Sequence, residues 1–179
     1  MKIKMFVIIG GISRQSINHK LFEQFKENDQ LNFDLFDIAQ LPYYSQDLEN
    51  ELPAVVADFK ARLQKADGVL VITPEYNRSM PGVLKNALDW GSRPWGHNGW
   101  NNKPGAIMGA SIGNIGTFGA QQHLRNVLSF LNVHLMSQPE FYLNFPASSD
   151  DKGMLTAGGR EFVDTFLRSL ADWVKLFKK

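Results

Sequence analysis

Three short stretches of the chain carry groups that could hold a small ligand. The first, Gly10-Gly11-Ile12-Ser13-Arg14-Gln15-Ser16-Ile17-Asn18, follows an apolar run and leads into a helical face marked by Leu21, Phe22 and Phe25. Backbone N–H groups ahead of a helix, two hydroxyls, an amide and a guanidinium together suit a phosphate dianion. The paired glycines let the main chain come close to it. The same residues could also form a capped turn with a solvated arginine. The stretch has neither the GxxxxGK[ST] of a P-loop nor the GxGxxG of a dinucleotide fingerprint.

The second stretch runs from Pro74 to Trp90 as PEYNRSMPGVLKNALDW. Tyr76 offers a flat aromatic face, Asn77 an amide, and the prolines a stiffened backbone beside a helix start. Such groups can hold the polar edge of a planar heterocycle. The other reading is a strand-to-helix loop with Ser79 as its N-cap. Glu75 has the chemistry of a general base, but nothing around it in the sequence sets it up as one. In the third stretch, Ser111 to Gly119, glycines at i, i+3 and i+6 imply a tight loop whose main chain could lie against a ring, or else a flexible surface loop.

Each stretch follows a strand-like run. Ile3 to Ile9 is a nearly continuous branched apolar segment stopped by Gly10-Gly11, GVLVIT from Gly68 to Thr73 ends at Pro74, and Ala106 to Ala110 is a strand of small residues. Asn32 to Phe36 alternates as a further strand, and a last one is expected around His134, extended by Phe141–Leu143. Helices are expected from Pro53, with Val55, Val56, Phe59, Leu63 and Ala66 on one stripe, from Ser79 and Pro81 towards Trp90, and from about Gly119 to Leu131. In the last helix Phe162, Phe166, Leu170, Trp173, Val174 and Phe177 form a core stripe. Continuous apolar strands alternating with helices predict an α/β, three-layer, doubly wound domain of five parallel strands and five helices. Such sheets bind ligands beyond the carboxyl ends of their strands, at the switch point of strand order. The stretches after strands one, three and four fall there. No linker divides the chain, so a single domain over residues 1–179 is expected.

The 179 residues hold 19 Lys+Arg against 18 Asp+Glu, a net charge of +1, so no polyanion-binding bias appears and nucleic acid is not an expected partner. Cysteine is absent, which excludes disulfides, thiolate metal sites and cysteine nucleophiles and fits a reducing cytoplasm. Met5 to Ile9 is too short for a signal-peptide core or a membrane span, so a soluble, cytoplasmic protein is expected. His19, His97, His123 and His134 lack metal-ligand spacing such as HExxH, and no metal site is expected.

Taken together, the three stretches resemble the NADPH-dependent FMN reductase family, in the branch of bacterial quinone, chromate and azo-dye reductases. The most specific piece is PEYNxSxPGxLKNAxDW, matched without a gap from Pro74 to Trp90. The family pattern GSxRxxSxN falls on Gly10 to Asn18. Gly11 stands where serine is common and Ser13 where arginine is, with Arg14 one place later, whereas Ser16 and Asn18 match. His123-Leu124-Arg125 matches a family helix and is read as packing or subunit contact. The resemblance implies a flavodoxin-like fold with strand order 2-1-3-4-5, non-covalent FMN, NADPH or NADH as hydride donor, and a homodimer or homotetramer. It implies cofactor contacts from Gly11, Ser13, Arg14, Ser16 and Asn18, from Pro74, Glu75, Tyr76 and Asn77, and from Ser111, Gly113 and Gly116.

The implied reaction moves hydride from NAD(P)H to flavin N5 and then two electrons to a small acceptor, whether a quinone, free flavin, azo compound or metal oxyanion. The flavin carries that chemistry, so no catalytic side chain is assigned. Tyr76, Trp95 and Trp100 are candidates to stack a substrate, or else structural, and Arg93 to meet an anionic part of NAD(P)H. An FMN-binding electron carrier or redox sensor is the alternative. Carriers of that kind are strongly acidic, unlike this chain.

Overall fold

Met5, Val7 and Ile9 enter one hydrophobic core while Phe6 and Ile8 enter another, because successive side chains of a strand point to opposite faces. A strand buried on both faces needs a layer of helices on each side. The computed structural model, which describes residues 2–178, has that arrangement. The chain runs β1 (Ile3–Ile9), α1 (Ile17–Glu23), β2 (Leu31–Phe36), α2 (Ala54–Lys65), β3 (Gly68–Ile72), α3 (Gly82–Ser92) and β4 (Pro104–Ser111). It continues through α4 (Phe118–Phe130), β5 (His134–Leu135), β6 (Tyr142–Asn144), α5 (Phe145–Ser148) and α6 (Ala157–Lys175).

The parallel strands lie in the order β2-β1-β3-β4-β5, as a flavodoxin-like domain requires. The fifth position differs from expectation. It is split between β5, which pairs with Pro104 and Gly105 at the start of β4, and a separate β6, which pairs with Gly109 to Ser111 at its end. The sheet therefore has six strands, two of them very short.

Helices α1 and α6 bring Leu21, Phe22, Phe166 and Leu170 to one face. Helices α2, α3 and α4 bring Phe59, Leu63, Leu88 and Leu124 to the other. On that second face Phe36 and Phe59 meet edge-on at 5.0 Å and Phe6 and Phe59 at 5.3 Å, with Trp100 beside them at 6.1 Å from Phe59. Such aromatic pairs add about 0.5–1.5 kcal/mol each beyond the area they bury. Trp100 is fully buried and its indole N–H donates to the Leu88 carbonyl at 2.9 Å, so it belongs to the core and cannot stack a substrate. Of the expected stripe of the last helix, Phe166, Leu170 and Val174 are core and Phe162 and Trp173 pack partly buried against it, with Val163 an unexpected core member. Phe177 lies beyond the helix end, partly exposed and stacked on His134 at 4.8 Å.

The expected cap of α3 is also different. Pro81 occupies the N-cap position, and Ser79 is drawn into a hairpin turn before the helix instead. Among the described residues no helix is long and apolar enough to cross a membrane.

Candidate functional site

The ends of β1, β3 and β4 are fastened side by side. The Gly10 N–H donates to the Ile72 carbonyl at 2.8 Å and the Thr73 N–H to the Met108 carbonyl at 3.0 Å. Parallel strands in register deliver the three following loops to one edge of the sheet, where all three predicted stretches meet.

The first loop, Gly11 to Ser16, is closed by its own bonds. The Ser16 N–H donates to the Ser13 carbonyl at 3.0 Å, and the Gln15 N–H to Ser13 Oγ at 3.2 Å. Ser16 caps α1 by accepting from the His19 N–H at 3.4 Å. A Cβ at Gly11 would stand 2.5 Å from Ser16 Oγ, so a larger residue there requires the Ser16 hydroxyl to turn aside. The N–H groups of Ile12, Ser13, Arg14, Ile17 and Asn18 make no hydrogen bond among the described residues, and Arg14 is exposed and without an acidic partner.

Asn18 is tied into the fold. Its side chain is buried, with Nδ2 donating to the Ala110 carbonyl at 3.0 Å and Oδ1 accepting from the Ala110 N–H at 2.9 Å. This reciprocal pair imitates a strand ladder and ties the first loop to the end of β4. One Nδ2 hydrogen and the Oδ1 are engaged in this way, and the second Nδ2 hydrogen and the backbone N–H of Asn18 have no acceptor among the described residues.

In the second loop Tyr76 and Ser79 exchange N–H to C=O bonds of 3.0 Å around Asn77 and Arg78, both at positive φ (+51° and +64°). This is a two-residue hairpin turn of the type in which both central residues are left-handed. Tyr76 is 52% exposed, and Asn77 is exposed with an uncommitted amide. Pro74 packs over the end of β1, 3.3 Å from where a Gly10 Cβ would lie.

Glu75 is bound on both oxygens. One oxygen accepts from Arg78 at 2.9 Å and the other from the Ala120 N–H at 3.2 Å. Thr117 gives α4 no side-chain cap, and Glu75 supplies the missing acceptor from another loop. Both carboxylate oxygens are therefore engaged within the protein. Ser79 Oγ meets His123 Nδ1 on the same helix at 3.0 Å.

In the third loop Ser111 Oγ donates to the Gly113 carbonyl at 3.0 Å and accepts from its N–H at 3.3 Å. Gly113 is exposed, and a Cβ there would meet nothing within 4 Å. Gly116 is buried instead. Its φ is +65° and a Cβ would lie 2.6 Å from that of Tyr142. Gly116 thus packs tightly against β6.

Arg93 and Trp95 do not join this edge. They follow the C-terminal end of α3, a helix about 16 Å long whose opposite end adjoins the second loop. There the Arg93 guanidinium lies 5.8 Å from the rings of both Tyr44 and Trp95. Sequence reasoning also missed the purpose of Asn86 and Trp90. Asn86 accepts from the Tyr44 N–H at 2.8 Å and donates to the Pro42 carbonyl at 2.9 Å, which Trp90 Nε1 also reaches at 2.7 Å. These bonds clamp residues 42–44 to α3, and no signal in a single sequence announces them.

The chain is 46% identical to a 2-hydroxy-1,4-benzoquinone reductase of a Burkholderia species, over 98% of each protein. It is 41% identical to a quinone reductase of Pseudomonas putida, over 95% of this chain and 94% of that one. Among solved structures it is similar to FerB, a flavoenzyme NAD(P)H:(acceptor) oxidoreductase from Paracoccus denitrificans, with a TM-score of 0.91, 37% identity and 97% of each chain covered. Residues 3–147 match the NADPH-dependent FMN reductase family, whose members are enzymes with FMN as cofactor and NAD(P)H as electron source. On the strength of that match and of relatives this similar over almost their whole length, the chain belongs to the NADPH-dependent FMN reductase family.

Proposed function

We propose that this protein is a single-domain NAD(P)H oxidoreductase that uses FMN to pass two electrons to a small acceptor, with quinones foremost. The observation that carries the reading is the set of unspent donors at the sheet edge. Backbone N–H groups at Ile12, Ser13, Arg14, Ile17 and Asn18 have no protein acceptor among the described residues, and the same loop carries the Arg14 guanidinium, exposed and without an acidic partner there. A phosphate dianion matches that set in charge and in hydrogen-bonding capacity. No carboxylate competes from the second loop, because Glu75 is committed to Arg78 and Ala120.

In this reading Gly11, Ser13, Arg14 and Ser16, with the Asn18 backbone, hold the phosphate. Pro74, Tyr76 and Asn77 border the polar edge of the ring, and Ser111 and Gly113 flank it from the third loop. Bound FMN supplies the hydride and electron chemistry. The protein binds it, orients it and leaves an approach for the donor and then the acceptor. The acceptor class is supported by the relatives named for quinones and by exposed apolar side chains on the three loops, Ile12, Tyr76, Ile112 and Ile115. A flat apolar quinone gains from such a surface, whereas a metal oxyanion does not.

Two further parts of the reading rest on the family. We expect self-association as a homodimer or homotetramer, which would cover Trp95 (79% exposed) and Phe130 (78%) at the rim of a 690 Å³ groove. We also place the protein in the cytoplasm. The site assignment is tested by the double variant Arg14→Ala with Ser16→Ala. Its FMN affinity should fall by about two orders of magnitude, as loss of charge-assisted hydrogen bonds worth about 1.5–3 kcal/mol implies. Unchanged affinity overturns the phosphate assignment.

A further inference from the structure

We propose that His123 is a positioning residue for hydride transfer, acting through Ser79 on the Asn77–Arg78 turn. The proposal rests on the reading that residues 74–79 border the flavin ring. The turn places two non-glycine residues in the left-handed region, at φ +51° and +64°. Hairpins of this kind favour Asn-Gly, and Arg78 replaces the glycine. A backbone strained in this way persists only where its surroundings over-determine it.

The surroundings here are two anchors on one helix. Ahead of the turn, Glu75 binds the Ala120 N–H at 3.2 Å and holds Arg78 at 2.9 Å. Behind it, Ser79 Oγ meets His123 Nδ1 at 3.0 Å. Ala120 and His123 are three residues apart on α4 and so share a face. The turn is thus held from both sides by α4, and Asn77 between the two anchored residues is exposed. Without His123 the Ser79 hydroxyl has no partner among the described residues. The far side of the turn then keeps only the backbone pair between Tyr76 and Ser79.

The test compares His123→Ala, Ser79→Ala and His123→Asn, because an asparagine amide sits as many bonds from Cβ as Nδ1 does. In the apoprotein, the Tyr76 and Ser79 amides should exchange hydrogen up to about tenfold faster in the two alanine variants. They should return to within about twofold of wild type in His123→Asn. In the FMN-loaded protein, anaerobic reduction by NADPH should slow about tenfold in the alanine variants while the Kd for FMN stays within about threefold, since the first loop is untouched. Unchanged exchange in His123→Ala, no rescue by His123→Asn, or an FMN affinity that falls in step with the reduction rate each overturns the proposal. A wild-type FMN-loaded protein that NADPH does not reduce overturns the functional reading instead, and the exchange data decide the tether independently.

Discussion

Two glycines three residues apart in the third loop should respond to alanine in opposite ways. At Gly116 the backbone has φ +65°, and a Cβ would lie 2.6 Å from Tyr142 Cβ and 2.8 Å from its Cα. The left-handed conformation costs an alanine about 1–2 kcal/mol, and forcing a methyl group against backbone adds about 1–3 kcal/mol. A central value of about 3 kcal/mol, at roughly 2–4 °C per kcal/mol for a chain of this size, lowers the melting temperature by about 6–12 °C. At Gly113 the same methyl meets nothing within 4 Å. Gly113→Ala should melt within about 1 °C of wild type, yet bind FMN more weakly, because its methyl takes space the proposal gives to the ring. Thermal melts of the apoproteins and fluorescence titrations with FMN read the two quantities separately. A Gly116→Ala protein that melts within 2 °C of wild type refutes the packing argument. A Gly113→Ala protein with wild-type FMN affinity refutes the placement of the ring.

Other consequences are as direct. Asn18→Ala strips two buried hydrogen bonds from Ala110 and should lower stability by about 2–4 kcal/mol in urea unfolding; a loss below 0.5 kcal/mol contradicts the clamp. Arg14→Ala should weaken FMN binding about tenfold while leaving apoprotein stability unchanged, since the Arg14 side chain has no partner among the described residues. Burial pushes the Asp67 carboxyl up, but the Lys4 N–H at 2.8 Å and the Lys178 ammonium at 3.0 Å outweigh it and leave it below the ordinary carboxylate value. Its stabilisation is then complete above the unfolded pKa of about 4 and lost as pH falls through the folded value. The melting gap between wild type and Asp67→Asn should therefore close between pH 5 and pH 2, and a gap that widens on acidification contradicts this.

The sheet was legible because strands covered on both faces are continuously apolar, as GVLVI in β3 is. The edge was harder. Strands β5 and β6 have two and three residues, too few for any periodicity to register. Sequence placed the three loops at one edge of the sheet but did not reveal what their side chains bond to within the protein. Asn18 and Glu75 are residue types that bind ligands and close loops with equal facility, and here a backbone pair on Ala110 and a helix N-terminus claim them. Ser79 reads as a cap from its spacing to Pro81, but the hairpin at Asn77 takes its backbone and His123 its hydroxyl. Trp95 and Trp100 sit five residues apart in one Gly/Asn-rich loop, one exposed and one in the core. Nothing local distinguishes them, because the difference is made by Phe6 and Phe59 across the fold.

The central claim is that the three loops hold a flavin that NAD(P)H reduces. It is tested most directly by the visible absorption spectrum of the protein loaded with FMN, recorded anaerobically before and after NADPH and again after one equivalent of a benzoquinone. The account predicts a bound-flavin spectrum that bleaches with one equivalent of NADPH and returns on addition of the quinone. A protein that binds no FMN, or whose flavin stays oxidised with excess NADPH and NADH, contradicts it.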